Sequence, residues 1–389
     1  MTARTTIYRN ASVFTGAADA PPQESFAVRD GRILAAGDLT PVRLAAGADS
    51  VEVDLGGAFV SPGIIEGHAH MLMLGESLDK VQLRDCTSVA EVQERLAAAR
   101  AAAPDAPRIL GTSWLFDIFA PGERPTAAML DAAVPDVPVI LDANDLHSVW
   151  VNTAALQAME IDRSTPDPVG GEIMRDDEGD ATGFLLETAA MKHAWGYLEA
   201  MASDADRDRF LENACNAYLE TGVTGATEMS FGAADLAAYR RRPDRDGRLP
   251  FPVNAHWILT ASGSLETDLA EVAEVARLRD EVAAQCGEDW LRIAGVKFIL
   301  DGVIDACTAT MRAPYANGAL PGPIWEREFA LPVAVAADAA GLQLALHAIG
   351  DEASTIALDM VQECISVYGP RAERRARVEH LESVAADTI

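Results

Sequence analysis

Lysine is nearly absent from this chain, paired cysteines are absent, and no long apolar run occurs. Each gap excludes something. Among 389 residues only Lys80, Lys192 and Lys297 are lysines, while arginine supplies the rest of the 31 basic residues. Against 60 acidic residues this leaves a formal charge of -29. Nucleic acid and anionic membrane surfaces are therefore poor partners, because their phosphates would be repelled. No stretch approaches the roughly 18 continuous apolar residues of a membrane span. The opening MTARTTIYRNASVF has no apolar leader core, so secretion is not indicated and a cytoplasmic location is expected. The five cysteines are scattered and form no CxxC pair, which excludes a disulfide framework and a cysteine zinc site. A lysine in such a chain stands where arginine is the rule, so each one raises a question.

What is present is an apolar fraction of 49%, enough for one large domain or two ordinary ones. Residues 5–55 read as short strands and turns of a small antiparallel layer, with Asp30-Gly31 as a hairpin signal. "GAFVSPGII" then reads as a buried strand punctuated by Pro62 and Gly63. Residues 86–103 have helical periodicity with Thr87 or Ser88 as N-cap, and residues 166–183 are rich in turn formers, predicting a hairpin. Further on, helices predicted over 265–285, 328–340 and 351–368 each lead into an apolar strand. Such alternation implies a parallel sheet closed or flanked by helices. In a barrel of this kind, reactive groups gather at the C-terminal ends of the strands. His68, His70, Glu228, His256, Lys297, His347 and His380 all fall at or near such ends.

His68 and His70 in "VSPGIIEGHAHML" lie two residues apart, so an extended strand projects both to one face. Alone, an HxH pair also suits capping or packing. His347 after "LQLAL" and His380 after "ARVE" would end later strands at the same face, and the set then favours imidazole coordination of a divalent ion, zinc being the usual choice. Lys297 sits inside the apolar "AGVKFILDG", where an unpaired ammonium is costly. Two readings stand: an ion pair with Asp301 or Asp305, or a lysine carboxylated by carbon dioxide that bridges two metal ions. Trp114, Phe116, Phe119 and Trp150 are candidates either for an apolar pocket or for packing.

"SPGIIEGHAHML", "HSVWVNTAAL", "GGEIMRDDEGDATGFLLE", "GVTGATEM", "VKFILDGVIDACTATM", "LALHAIGDEA" and "RVEHLE" occur in this order over essentially the whole chain. In them the sequence resembles the YtcJ-like, N-substituted formamide deformylase-like branch of the amidohydrolase superfamily. The resemblance implies an α/β fold: a metal-dependent (β/α)8 TIM-type barrel plus a small β-sandwich. Residues 1–57 would form part of the sandwich and 58–389 the barrel, with an insertion at about 75–210 over the active site. It implies two zinc ions held by His68, His70, Lys297, His347 and His380, with Lys297 as the bridge, and His147 facing the substrate. The family's acid–base residue, an aspartate ending strand eight, would lie beyond Ile389, together with strands seven and eight and the C-terminal sandwich strands. A fragment of a longer protein is therefore expected, and Asp301, Asp305 and Asp351 are not assigned the missing role. The implied function is hydrolysis of a non-peptide C–N bond in a small amide substrate by metal-activated hydroxide. A deaminase or cyclic-amide hydrolase, or a catalytically impaired metal-binding or regulatory protein, are the alternatives, and homo-oligomerisation is left open.

Overall fold

The computed structural model describes residues 4–17, 19–168, 170–242, 249–287 and 289–389. They form two units, Met1–Ile65 with Gly222–Thr224, and Glu66–Thr221 with Gly225–Ile389. In the first, β1 (Thr6–Val13) pairs antiparallel with β2 (Ser25–Arg29), which turns into β3 (Arg32–Gly37). The turn is Asp30-Gly31, both at positive φ, 53° and 74°, as a two-residue type I′ turn requires. Helix α1 (Leu39–Ala46) then crosses over, burying Val42 and Ala46 against Ile7 and Ala27. The crossover brings β4 (Val51–Val60) back parallel to β1, so this layer is mixed rather than antiparallel. Nor is "GAFVSPGII" one buried strand. β4 ends at Val60, paired with Val13, and residues 61–63 carry no strand, since Pro62 has no N–H to give a ladder.

β5 (Ile64–Ala69) leads into α2 (Met71–Asp79), and residues 80–188 then build a second layer. Its elements are β6 (Val81–Gln82), α3 (Val89–Ala102), β7 (Ile109–Trp114), α4 (Ala127–Asp131), β8 (Val139–Ala143) and β9 (Ser148–Val151), followed by α5 (Thr153–Ala158), β10 (Gly171–Arg175) and β11 (Ala181–Glu187). The Ser88 hydroxyl caps α3 by accepting the Glu91 N–H, and the Asn152 side chain caps α5 likewise. The sheet order is β10-β11-β9-β8-β7-β6, parallel from β6 to β8 and antiparallel beyond. Every residue of β8 and β9 is buried.

A π-helical turn (Ala190–Trp195), α6 (Gly196–Met201) and α7 (Asp204–Glu220) return the chain to the main sheet. There β12 (Val223–Phe231), α8 (Ala233–Arg241), β13 (Val253–Ile258), α9 (Leu265–Cys286), β14 (Leu291–Ile299), α10 (Arg327–Ala339), β15 (Gln343–Ala348), α11 (Asp351–Tyr368) and β16 (Arg377–His380) follow. The sheet order is β16-β15-β14-β13-β12-β5, and the pairs from β12 to β16 are all parallel. Helices on the crossovers bury Val333, Ala337, Ile356 and Met360 against Val296, Phe298, Leu344 and Leu346. Such doubly covered strands read as near-continuous apolar runs, as "LQLALHA" does. The five cysteines are free thiols, and no helix among the described residues is long and apolar enough to cross a membrane.

Candidate metal centre

The parallel register puts the ends of successive strands side by side. Lys297 of β14 lies opposite Ala345, Ile299 opposite His347, and Ala348 of β15 opposite His380. At the far edge of the sheet, His68 is the last residue but one of β5 and His70 sits at the N-cap of α2. The imidazoles converge: ring centroids are 5.2 Å apart for His68 and His70, 5.2 Å for His68 and His380, and 4.4 Å for His347 and His380. Lys297 is 2% exposed beside them. It makes no ion pair with Asp301 or Asp305 among the described residues. Asp301 instead accepts the backbone N–H groups of Thr310, Ile349 and Gly350.

Burial governs the charge state of this cluster. Desolvation, reinforced by neighbouring histidines and Lys297, lowers His70 to about 3, His347 to about 2 and His380 to about 4. All three are neutral at pH 7, with lone pairs available. Burial likewise lowers Lys297 to about 8. Glu379 behaves oppositely. Burial opposes its charge, but hydrogen bonds from His68 and Arg377 outweigh that and bring it to about 2. Its Oε2 lies 2.8 Å from His68 Nδ1, fixing that ring. Glu228 is held above the usual carboxylate range, at about 8, chiefly by burial, although it accepts the N–H groups of Met71 and Ser230.

Among the described residues no group of three or more His, Cys, Asp or Glu side chains is placed so as to hold a metal ion. Two observations nevertheless suit a divalent ion. His70 Nδ1 is buried without a hydrogen-bond partner, and the donor set is neutral imidazole with a desolvated lysine, which suits zinc-like ions. His380 also holds φ at 77° and Leu381 at 52°. Non-glycine residues take such angles at a cost, and they cluster at functional sites.

A family model described as "Amidohydrolase family" matches residues 51–389. The chain belongs to the amidohydrolase family. Among curated relatives of the chain, the protein LONG AFTER FAR-RED 3 of Arabidopsis thaliana is 31% identical over 97% of the chain and 64% of its own length. N-substituted formamide deformylase of Arthrobacter pascens is 29% identical over 90% and 64%, and the exoenzymes regulatory protein AepA of Pectobacterium carotovorum 28% over 91% and 76%. The chain thus spans 64% of the length of two of these relatives. An uncharacterised metal-dependent hydrolase from Pyrococcus furiosus superposes with a TM-score of 0.69 at 27% identity, covering 98% of this chain and 74% of that one.

Beside the histidine cluster stands His147, on the turn between β8 and β9, its ring centroid 6.2 Å from that of His347. His147 Nδ1 lies 2.6 Å from Glu187 Oε2, and the other oxygen of Glu187 accepts the Thr308 hydroxyl. Burial works against protonating His147, but Glu187, Asp145 and Asp301 outweigh it and raise its pKa. Glu187 and Glu379 went unread in the sequence. The signals were faint: Glu187 closes the quoted "GFLLE", and Glu379 adjoins His380. His256 departs from the strand-end reading, since its Nε2 lies 3.0 Å from Gln343 Oε1, at the start of β15. The aromatic residues of the second layer pack together: Trp114 contacts Phe116, Phe119, Trp150 and Phe184.

Proposed function

We propose that this chain carries the centre of a divalent-metal-dependent hydrolase that cleaves non-peptide C–N bonds in small amides. The observation that carries the reading is the convergence of four histidines and a desolvated lysine at adjoining strand ends of the parallel sheet. His68, His70, Lys297, His347 and His380 would hold two zinc ions, with Lys297 carboxylated as the bridge. Sequential parallel strands support a (β/α)8-type barrel, with residues 1–57 as a small β domain and 75–210 as an insertion. When bound, such ions supply acidity to a water and polarise a carbonyl.

The chain's own groups prepare that chemistry. Glu379 takes the Nδ1 side of His68, leaving Nε2 as its donor. Burial keeps His70, His347 and His380 unprotonated. Glu187 takes the Nδ1 side of His147, leaving its other nitrogen to orient a substrate oxygen or leaving group. Asp301 accepts three backbone N–H groups, and its Oδ1 also lies 3.5 Å from His347 Nε2, so it ties two loops to the histidine cluster.

The resemblance to a deformylase supports an amide substrate. The test is metal analysis of the purified protein, with a screen of N-substituted formamides for amine release. About two zinc ions per chain are expected, with metal lost in Lys297→Ala and turnover lost on chelation. Metal content unchanged by Lys297→Ala overturns the bridging lysine, and a protein that takes up no metal overturns the whole reading. The resemblance to AepA, named as a regulator, favours a second reading: a metal-binding regulatory protein, which would load metal and hydrolyse nothing.

A further inference from the structure

A cavity of about 660 Å³ adjoins His70, within the size range of small-molecule sites. Leu72, Leu198, Phe210 and Ile258 give it an apolar lining. One wall is polar and built around Lys80, the second of the three lysines that calls for an explanation. Its ammonium lies 2.7 Å from Asp142 and 3.3 Å from Glu76, and the Lys80 and Asp142 side chains are only 6% and 7% exposed. The indole N–H of Trp195 donates to the other oxygen of Asp142 at 2.8 Å. Trp195 ends the π-helical turn, a rare element that recurs at functional sites.

The lining carries four carboxylates, Glu76, Asp142, Glu199 and Asp235, against two cations, Lys80 and Arg207. Neither cation is free. Lys80 is shared by two carboxylates, and Arg207 donates to the carbonyls of Ala202 and Glu199. An incoming anion would therefore lose water and meet excess negative charge without an unengaged cation, whereas an apolar neutral or cationic group would not.

We propose that this cavity seats the largest substituent of the substrate and selects an apolar group that is neutral or positively charged, rejecting anionic ones. The word substrate rests on the amide-hydrolase reading; the binding selectivity rests on the cavity itself. The test titrates hexan-1-ol, hexylamine and hexanoate into the full chain, freed of metal so that no carboxylate is drawn to an ion, at pH 8 by calorimetry. Hexanol and hexylamine should bind, and hexanoate at least about tenfold more weakly. Glu199 is exposed, so Glu199→Lys should fold and narrow the gap between hexylamine and hexanoate by about tenfold. Ala234→Trp should fill the cavity and abolish binding of hexanol; if that variant does not fold, Ala202→Trp reads the same space. Equal binding of hexanoate, no binding of any probe, no response to Glu199→Lys, or hexanol binding that survives a folded filling variant each overturns the proposal. Selective binding in a protein that, loaded with metal, hydrolyses no amide would overturn the proposed function and leave this cavity assignment standing.

Discussion

Two six-stranded sheets follow β4 in the chain, and they divide the work differently. In the parallel sheet the strands follow one another in chain order, so their C-terminal ends share one edge. That edge gathers His68, Lys297, His347 and His380, each from a different strand. In the mixed sheet of β6 to β11 only β6, β7 and β8 share such an edge, and it carries none of the clustered histidines. Its inward faces are filled by aromatic packing around Trp114 and Trp150, both 0% exposed, and its loops deliver single polar groups, such as His147, toward the cluster. Parallel topology collects donors by default. A mixed sheet has to place each one with a dedicated partner, as Glu187 does for His147.

The strongest way to break this contrast is to hollow out the mixed sheet. Trp114 touches four other aromatic rings, and its indole N–H donates to the Leu141 carbonyl at 3.0 Å. Trp114→Ala should cost about 3–5 kcal/mol in urea unfolding. The folded variant should still load metal, because the proposed donors stand at the strand ends of the other sheet. Metal uptake lost in step with stability would show that the two sheets do not divide the work.

The next effect is smaller and falls on the parallel sheet. Removing the charge that orients His68, in Glu379→Gln, should weaken metal affinity by about 10–100-fold, read by competition with a chelating dye. An unchanged affinity would mean that the 2.8 Å contact between His68 and Glu379 does not serve the centre. The matching change on the mixed sheet is Glu187→Gln. It should leave metal content intact and lower turnover by about tenfold, equivalent to about 1.4 kcal/mol. Metal loss in Glu187→Gln would move Glu187 to the ligand side of the comparison.

The same contrast decides what was legible in the sequence. Strand-end histidines follow from period and register: HxH needs only the twofold repeat of a strand, and Lys297 stood out as a lysine in an apolar run. Helix ends were readable where a cap is local, as with Ser88. The carboxylates that hold the histidines were not, because they come from afar. His68 and Glu379 are 311 residues apart, and His147 and Glu187 are 40 apart. No local pattern links such partners. Pro62 was read as punctuation within one strand, whereas it separates strands of different sheets. The cavity beside His70 depends on side chains from α2, α6, α7 and both sheets, which no sequence window contains.

The last expected effect, of similar size, concerns a carboxylate between the two regions of chemistry. Asp235 accepts the Gly232 N–H at 3.0 Å at the start of α8, and burial raises its pKa to about 7, with Glu199 adding to the rise and Arg207 opposing it. Unfolded, it titrates near the ordinary aspartate value of about 3.9. A raised folded value means that the folded state keeps this proton longer than the unfolded one. Its contribution to stability is therefore complete below about pH 4 and is lost as pH rises through about 7. Partial access of water limits the loss to about 1–2 kcal/mol. Asp235→Asn keeps an oxygen for the Gly232 N–H and has no proton to release. Its stability, measured by urea unfolding of the metal-free protein at pH 5 and pH 8, should fall by that much less than the wild type over the same interval. Glu228, which Asp235 pushes further upward, titrates in both proteins, so the difference between them reports Asp235 together with its push on Glu228. Parallel curves would mean that Asp235 is ionised in the folded protein at pH 5, and that its burial is offset by the charges around it.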